Sequence, residues 1–302
     1  MMDPKYIRNL NSIPHGQQAL YLVPVFSWLA PLWSFACGVI ASSASGWTAD
    51  NLLRFMLGLL LAGPLLGTAW RASEQIRLSR ELTADPTHQT DTPREPAAAL
   101  PYTLPGSAGD RLASWLGAVS TRWQPAAGEL RASLLQLAAS TVFALVVAAT
   151  LGERALALAG AALVCAYMRS LAAERWATGS MLAVSVPVFL AWLVGHAIHA
   201  AIRPESALVA ACFALALGGC ARVRCTGKGL LPLLLPQVVA IAYLIFLRQP
   251  VASAGVTLLA SAQLLWAPQL QTPMGHTAYR RAVQITLAAS MLLSAWTLGH
   301  GP

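Results

Sequence analysis

The sequence predicts an all-α membrane protein, a single bundle of about nine transmembrane helices. Three observations point there. The 302-residue chain is 56% apolar and 11% charged, whereas ordinary soluble domains carry about 25% charged residues. Apolar runs of roughly 20 residues, enough to span a bilayer, recur along its length. Lys and Arg gather in alternate connections between those runs, as they do in polytopic membrane proteins.

The runs are placed at 18–42, 52–71, 132–151, 154–173, 180–201, 205–221, 229–247, 251–267 and 282–299. The first follows a polar stretch with Lys5 and Arg8, lacks a small-residue cleavage site, and is expected to stay as a signal-anchor. The second ends at Arg71 and the third begins after Arg131. Arg154 opens the fourth, and Arg169 and Arg175 mark its far end. The fifth runs from Ser180 to the segment before Arg203. The sixth is bounded by Arg203 and Arg222; it is short and is expected to be partly re-entrant. Lys228 precedes the seventh and Arg248 follows it. The eighth stops near Pro268, and Arg280 and Arg281 precede the ninth.

This spacing puts Arg54, Arg154, Arg203 and Arg248 on one side and the other 16 Lys and Arg of the 20 on the opposite side. The positive-inside rule then predicts a cytoplasmic N-terminus and a periplasmic C-terminus in a bacterial inner membrane. The net charge of +8 needs no nucleic acid, because loops over anionic lipid are basic by default. The partners expected from composition are membrane lipids. Cys37, Cys165, Cys212, Cys220 and Cys225 lie in or beside apolar spans without metal-ligand spacing. They read as reduced, buried and structural.

The connection 72–131 is the main polar segment, a long cytoplasmic loop within the one domain. Thr83–Gly109 is rich in Pro, Thr and Ala and reads as an extended tether. Asp110–Val119 reads as a short amphipathic helix with Leu112, Trp115, Leu116 and Val119 on one face, suited to a membrane surface or a partner subunit.

Residues 28–70 are more specific. They read Trp28-Leu-Ala-Pro-Leu-Trp-Ser-Phe-Ala-Cys-Gly-Val-Ile40, a polar break, then Leu60-Leu-Ala-Gly-Pro-Leu-Leu-Gly-Thr-Ala-Trp70. The stretch resembles the first two helices of the chlorophyll and bacteriochlorophyll synthases, members of the UbiA prenyltransferase superfamily. Leu231-Pro-Leu-Leu-Leu-Pro-Gln-Val238 and Ala262-Gln-Leu264 are similar to the same family. The resemblance implies nine helices and an active site in which two acidic clusters hold Mg²⁺ against an allylic diphosphate.

Those clusters look degenerate. The family's N-D-x-x-D-x-x-x-D motif aligns with Glu74, Arg77 and Glu81, and no Asp stands between residue 51 and Asp85. The second motif places Ala216 and Val223 where carboxylates are needed, and Leu215–Lys228 contains no acid at all. Hard divalent cations want several oxygen ligands, so Mg²⁺ is not expected and no residue is assigned a catalytic role. A third element keeps its tyrosine as Tyr167 and its last basic position as Arg175, while its proline and central arginine are gone. Arg169, Arg175, Arg224 and Lys228 are candidates for an anion site; positive-inside topology accounts for them equally well. Glu74 and Glu81 otherwise read as part of a solvated helix end.

Ten Trp residues, mostly near helix ends, read as an aromatic belt or as a surface for flat macrocycles. His196 and His199, at i and i+3 on the outer end of the fifth helix, are the candidate axial ligands for a pigment. Small-x-x-x-small pairs such as Gly58/Ala62 and Gly63/Gly67 permit close helix packing.

Three readings follow. The first is a non-catalytic synthase-like protein, an accessory or assembly subunit of a photosynthetic reaction-centre and light-harvesting complex, holding bacteriochlorophyll, carotenoid, quinone or isoprenoid lipid. The second is an active, divergent prenyltransferase using Glu74, Glu81 and Glu174. The third, a transporter of unrelated ancestry, lacks the broken-helix repeat and intramembrane charge pair it would need.

Overall fold

A computed structural model describes residues 24–43, 48–84, 127–171, 179–223, 230–271 and 273–300. Those residues form nine helices, with no strand among them. Helix α1 is Pro24–Ala41. Helix α2 runs from Ala49–Leu60 through a π turn at Leu61–Leu65 into Leu66–Ala84. There follow α3 (Ala127–Leu151), α4 (Glu153–Leu171), α5 (Gly179–Ala197) and α6 (Pro204–Arg222). Helices α7 (Leu230–Phe246), α8 (Pro250–Leu265, with a 3₁₀ turn at Ala267–Gln271) and α9 (Pro273–His300) complete the bundle.

Local chemistry sets several boundaries. The Thr48 hydroxyl accepts from the Asn51 amide and caps α2. Pro204 and Pro250 occupy first-turn positions, where a missing N–H costs nothing. Only Gly152 separates α3 from α4, at φ +113, a conformation that glycine adopts without a Cβ penalty. Pro64 lies inside the π turn of α2, which absorbs the donor that the proline lacks.

Several expectations are corrected. Helix α2 does not stop at 71 but continues to Ala84, so Glu74, Arg77 and Glu81 are helical and the long connection is shorter than 72–131. Helix α6 is a single continuous helix, and its central span is largely buried rather than re-entrant. Helix α9 begins at Pro273, well before 282. Cys37, Cys212 and Cys220 are buried, but Cys165 is exposed on the outside of α4. Cys225 and the segment Asp110–Val119 lie outside the described residues.

Among the described residues, five segments are long and apolar enough to cross a membrane: Ala49–Arg77, Arg131–Leu151, Pro204–Ala221, Pro250–Gln269 and Ala278–His300. Leu29–Ala41, Met181–Ala197 and Leu230–Phe246 are apolar but shorter. Large side chains such as Val142, Val146, Val238, Leu258 and Ile285 face outward along the bundle. That apolar exterior is the surface a bilayer covers, and helices satisfy their own backbone groups there. The chain is an all-α, multi-pass membrane protein.

Two cores share the interior. One joins α1, α5, α6, α7, α8 and α9 around Trp192, Phe213, Leu233, Leu244 and Leu287. The other joins α1 to α5 around Phe35, Leu61, Ala144, Ala159 and Val194. Helices α1 and α5 belong to both, and they cross closely. A Cβ on Gly38 would meet the Trp192 carbonyl, and one on Gly195 would meet the Phe35 carbonyl. Gly63 of α2 also packs closely, its Cβ position falling against the Leu32 side chain of α1, whereas Gly67 has nothing near its Cβ position.

Polar side chains fasten the crossings. Ser34 Oγ donates to the Val188 carbonyl at 2.7 Å, and Trp33 Nε1 to the Ala288 carbonyl at 3.0 Å. Trp192 Nε1 donates to Ser206 Oγ at 2.9 Å. Gln237 Nε2 donates to Gln263 Oε1 at 2.9 Å, and Gln263 Nε2 donates to Thr286 Oγ1 at 3.0 Å, tying α7, α8 and α9 together. Where lipid offers no hydrophobic drive between helices, such interhelical bonds and close contacts carry much of the association.

Candidate functional site

The acidic-motif region lies where α2, α4 and α5 meet at one end of the bundle. Extension of α2 past residue 71 puts Trp70, Glu74 and Arg77 on successive turns. Within the helix, Arg77 Nη2 donates to Glu74 Oε1 at 2.8 Å and Arg77 Nε to Glu74 Oε2 at 3.2 Å. From α4, Arg169 Nη2 reaches Glu74 Oε2 at 2.6 Å. Both carboxylate oxygens therefore accept from guanidinium groups.

The surroundings hold this arrangement. The Arg169 guanidinium lies 5.6 Å from the Trp70 ring centroid, a cation–π distance. Arg169 Nη1 and Trp70 Nε1 both donate to the Ala183 carbonyl of α5, at 3.4 and 3.0 Å. Beside them, Ser133 of α3 donates to Gln75 Oε1 at 3.1 Å. The Glu74 and Arg169 side chains are only 16% and 21% exposed, so this is not the solvated helix end read from the sequence. Below the cluster, a cavity of about 20 Å³ is lined by Pro31, Gly67, Trp70, Ala166 and Pro187.

The second acidic position is occupied differently. Ala216 is fully buried and Val223 nearly so, both in the apolar core with Cys220 and Leu233. Gly219 of the same helix lies so close to α7 that a Cβ would strike the Pro232 carbonyl. Ala216 and Val223 thus lie among buried side chains of the core, with the Arg280 guanidinium close to Cys220.

The described residues at the two motif positions, Glu74, Arg77, Ala216 and Val223, do not by themselves furnish the oxygen ligands that a pair of magnesium ions needs. Glu74 has both oxygens committed, Arg77 stands at the central position, and the facing positions are apolar and buried. Glu81 is helical, but its side chain lies outside the described residues, as do Arg175, Arg224, Lys228 and Glu174. Of the four proposed anion-site cations, Arg169 alone is described, and it is spent on Glu74.

The two candidate pigment ligands separate. Helix α5 ends at Ala197, so His196 is helical and His199 lies in the turn beyond it. His196 is fully buried between helices, with no hydrogen-bond partner on either ring nitrogen. His199 instead lines an open cleft of about 420 Å³ with Arg54, Glu153 and Arg154.

The sequence reading did not foresee Trp70 or the bond between α2 and α4. The available signal was modest: Glu74 and Arg169 are lone charges at the ends of apolar helices.

No family model matches the chain, and no solved structure matches it. Among curated proteins, the bacteriochlorophyll synthase 34 kDa chain of Chloroflexus aurantiacus is 28% identical over 207 residues, 67% of this chain and 56% of that one. The 33 kDa bacteriochlorophyll synthase chains of Rhodobacter capsulatus and Cereibacter sphaeroides are each 33% identical over 55 residues, 18% of this chain. Thus the chain spans about half the length of the first relative and under a fifth of the others. This similarity agrees with the helical architecture and with the resemblance read from the sequence: the chain is similar to bacteriochlorophyll synthase chains over part of their length.

Proposed function

We propose that this chain is a non-catalytic relative of the bacteriochlorophyll synthases. It serves as an accessory or assembly subunit of a photosynthetic reaction-centre and light-harvesting complex, binding pigment, quinone or isoprenoid lipid on its apolar faces. The observation that carries the reading is Glu74. Its carboxylate is held by Arg77 and Arg169 at 2.8 and 2.6 Å, so the carboxylate that could hold a metal neutralises the chain's own cations instead. The buried, apolar Ala216 and Val223 on α6 support the same conclusion. A fold hosts many functions, and the site decides among them. The proposed orientation puts the N-terminus and the Glu74 cluster in the cytoplasm, from the distribution of Lys and Arg.

The test has two arms. The purified protein, given Mg²⁺, bacteriochlorophyllide and a prenyl diphosphate, is expected to form no ester. The same protein, isolated from its native membrane in mild detergent, is expected to carry antenna or reaction-centre subunits and their absorption bands. Metal-dependent esterification would establish instead the second reading, an active, divergent prenyltransferase. Isolation as a lone, colourless chain would remove the subunit role.

A further inference from the structure

The opposite end of the bundle holds two charges, on Glu153 and Arg154, that no described residue pairs with. The first turns of α2, the α3–α4 turn and the end of α5 lie together there, and the open cleft of about 420 Å³ sits among them. Its polar lining is Arg54, Glu153, Arg154 and His199. Arg54 donates its Nε to Asp50 at 2.9 Å, which leaves its two Nη groups available. Glu153 and Arg154 make no ion pair with a described residue, and the buried Nε2 of His199 has no hydrogen-bond partner. The first amides of α4 open onto the same place, beyond Gly152. A helix start adds partial positive charge there.

The cleft therefore offers both signs of charge. Two guanidiniums, an imidazole and a helix start suit a phosphate. The Glu153 carboxylate would repel a purely anionic ligand but accept hydrogen bonds from an ammonium. The cleft also lies at the rim of the apolar exterior. Leu53, beside Arg54, is 58% exposed, and Leu156, one turn into α4, is 37% exposed. A ligand with a zwitterionic head and apolar chains matches head and rim together.

We propose that this cleft holds the headgroup of an aminophospholipid, with its phosphate on Arg54 and Arg154, its ammonium on Glu153, and its acyl chains against Leu53 and Leu156. The site is independent of whether the other end of the bundle is catalytic. It discriminates by hydrogen bonding: a primary ammonium donates to a carboxylate, and a trimethylammonium cannot.

The full chain, reconstituted in bilayers of equal phosphatidylethanolamine, phosphatidylcholine and phosphatidylglycerol, would be released for native mass spectrometry and its retained lipids counted. Phosphatidylethanolamine is expected to be retained at least about tenfold over phosphatidylcholine, the size of one charged hydrogen bond. Glu153→Gln should abolish that preference while retaining lipid, and Arg154→Gln should reduce all phospholipid retention. Equal retention of the ethanolamine and choline lipids by the unaltered protein would overturn the proposal and needs no variant. Preferential retention of phosphatidylglycerol, or of soluble phosphoethanolamine as strongly as the lipid, would overturn it too.

Discussion

The two ends of the bundle use charge in opposite ways. At one end, Glu74 is enclosed by Arg77 and Arg169, with Trp70 and the Ala183 carbonyl completing the shell. At the other, Glu153 and Arg154 face a cleft without a described ion partner. Burial accounts for the contrast. A partly buried carboxylate must be neutralised by fixed partners, since an uncompensated charge in a low dielectric costs several kcal/mol. Charges at an open rim are stabilised by water or by whatever binds, so they remain available.

The strongest way to break this comparison is to return an acid to the closed end. Ala216→Asp puts a carboxylate at a fully buried apolar position beside Cys220 and Leu233. The expected outcome is a loss of about 3 kcal/mol or more and poor recovery of folded protein from detergent. A well-folded variant that binds Mg²⁺ by calorimetry would mean the region is an adaptable cleft rather than a packed core.

Next in size is the ion pair itself. Arg169→Ala should lower stability by about 2–3 kcal/mol, read as a lower midpoint in thermal unfolding, because it strips one cation from a largely buried Glu74. Adding Glu74→Ala should restore part of the loss, with a coupling of about 1–2 kcal/mol in a double-mutant cycle. Additive losses would show the two side chains to be independent. Trp70→Phe removes the Nε1 bond to Ala183 and weakens the ring's contact with Arg169, and should cost about 1 kcal/mol in the same assay.

The smallest effects are expected at the open end. Glu153→Gln and Arg154→Gln should each change stability by no more than about 0.5 kcal/mol, since neither side chain has a described ion partner. A large loss from either would show that this end is also closed on itself, and the comparison between the ends would fail.

Much of the architecture was legible from residue order. Each span is a property of its own segment: about 20 apolar residues cross a bilayer whatever they pack against. Charged residues such as Arg71, Arg131, Arg203 and Arg248 marked where the apolar runs end. The same reasoning stopped α2 at Arg71, where hydropathy falls. The helix continues to Ala84 because α3 and α4 pack beside it and Arg169 neutralises Glu74. It also merged His196 and His199 into one helical face, because the end of α5 at Ala197 is set by the turn into α6.

By itself, then, the sequence determined the class of the protein and the order of its described helices. Composition, span length and residue identity are local quantities, readable without neighbours. Only the tertiary structure decided which charges meet. Glu74 and Arg169 lie far apart in the chain and come within 2.6 Å, while Gly38 and Gly195 bring α1 and α5 backbone to backbone. Those contacts depend on the rotation and depth of each helix against the next. Leu- and Ala-rich spans present nearly the same apolar surface at every rotation, so that choice falls to a few glycines, hydrogen bonds and one ion pair.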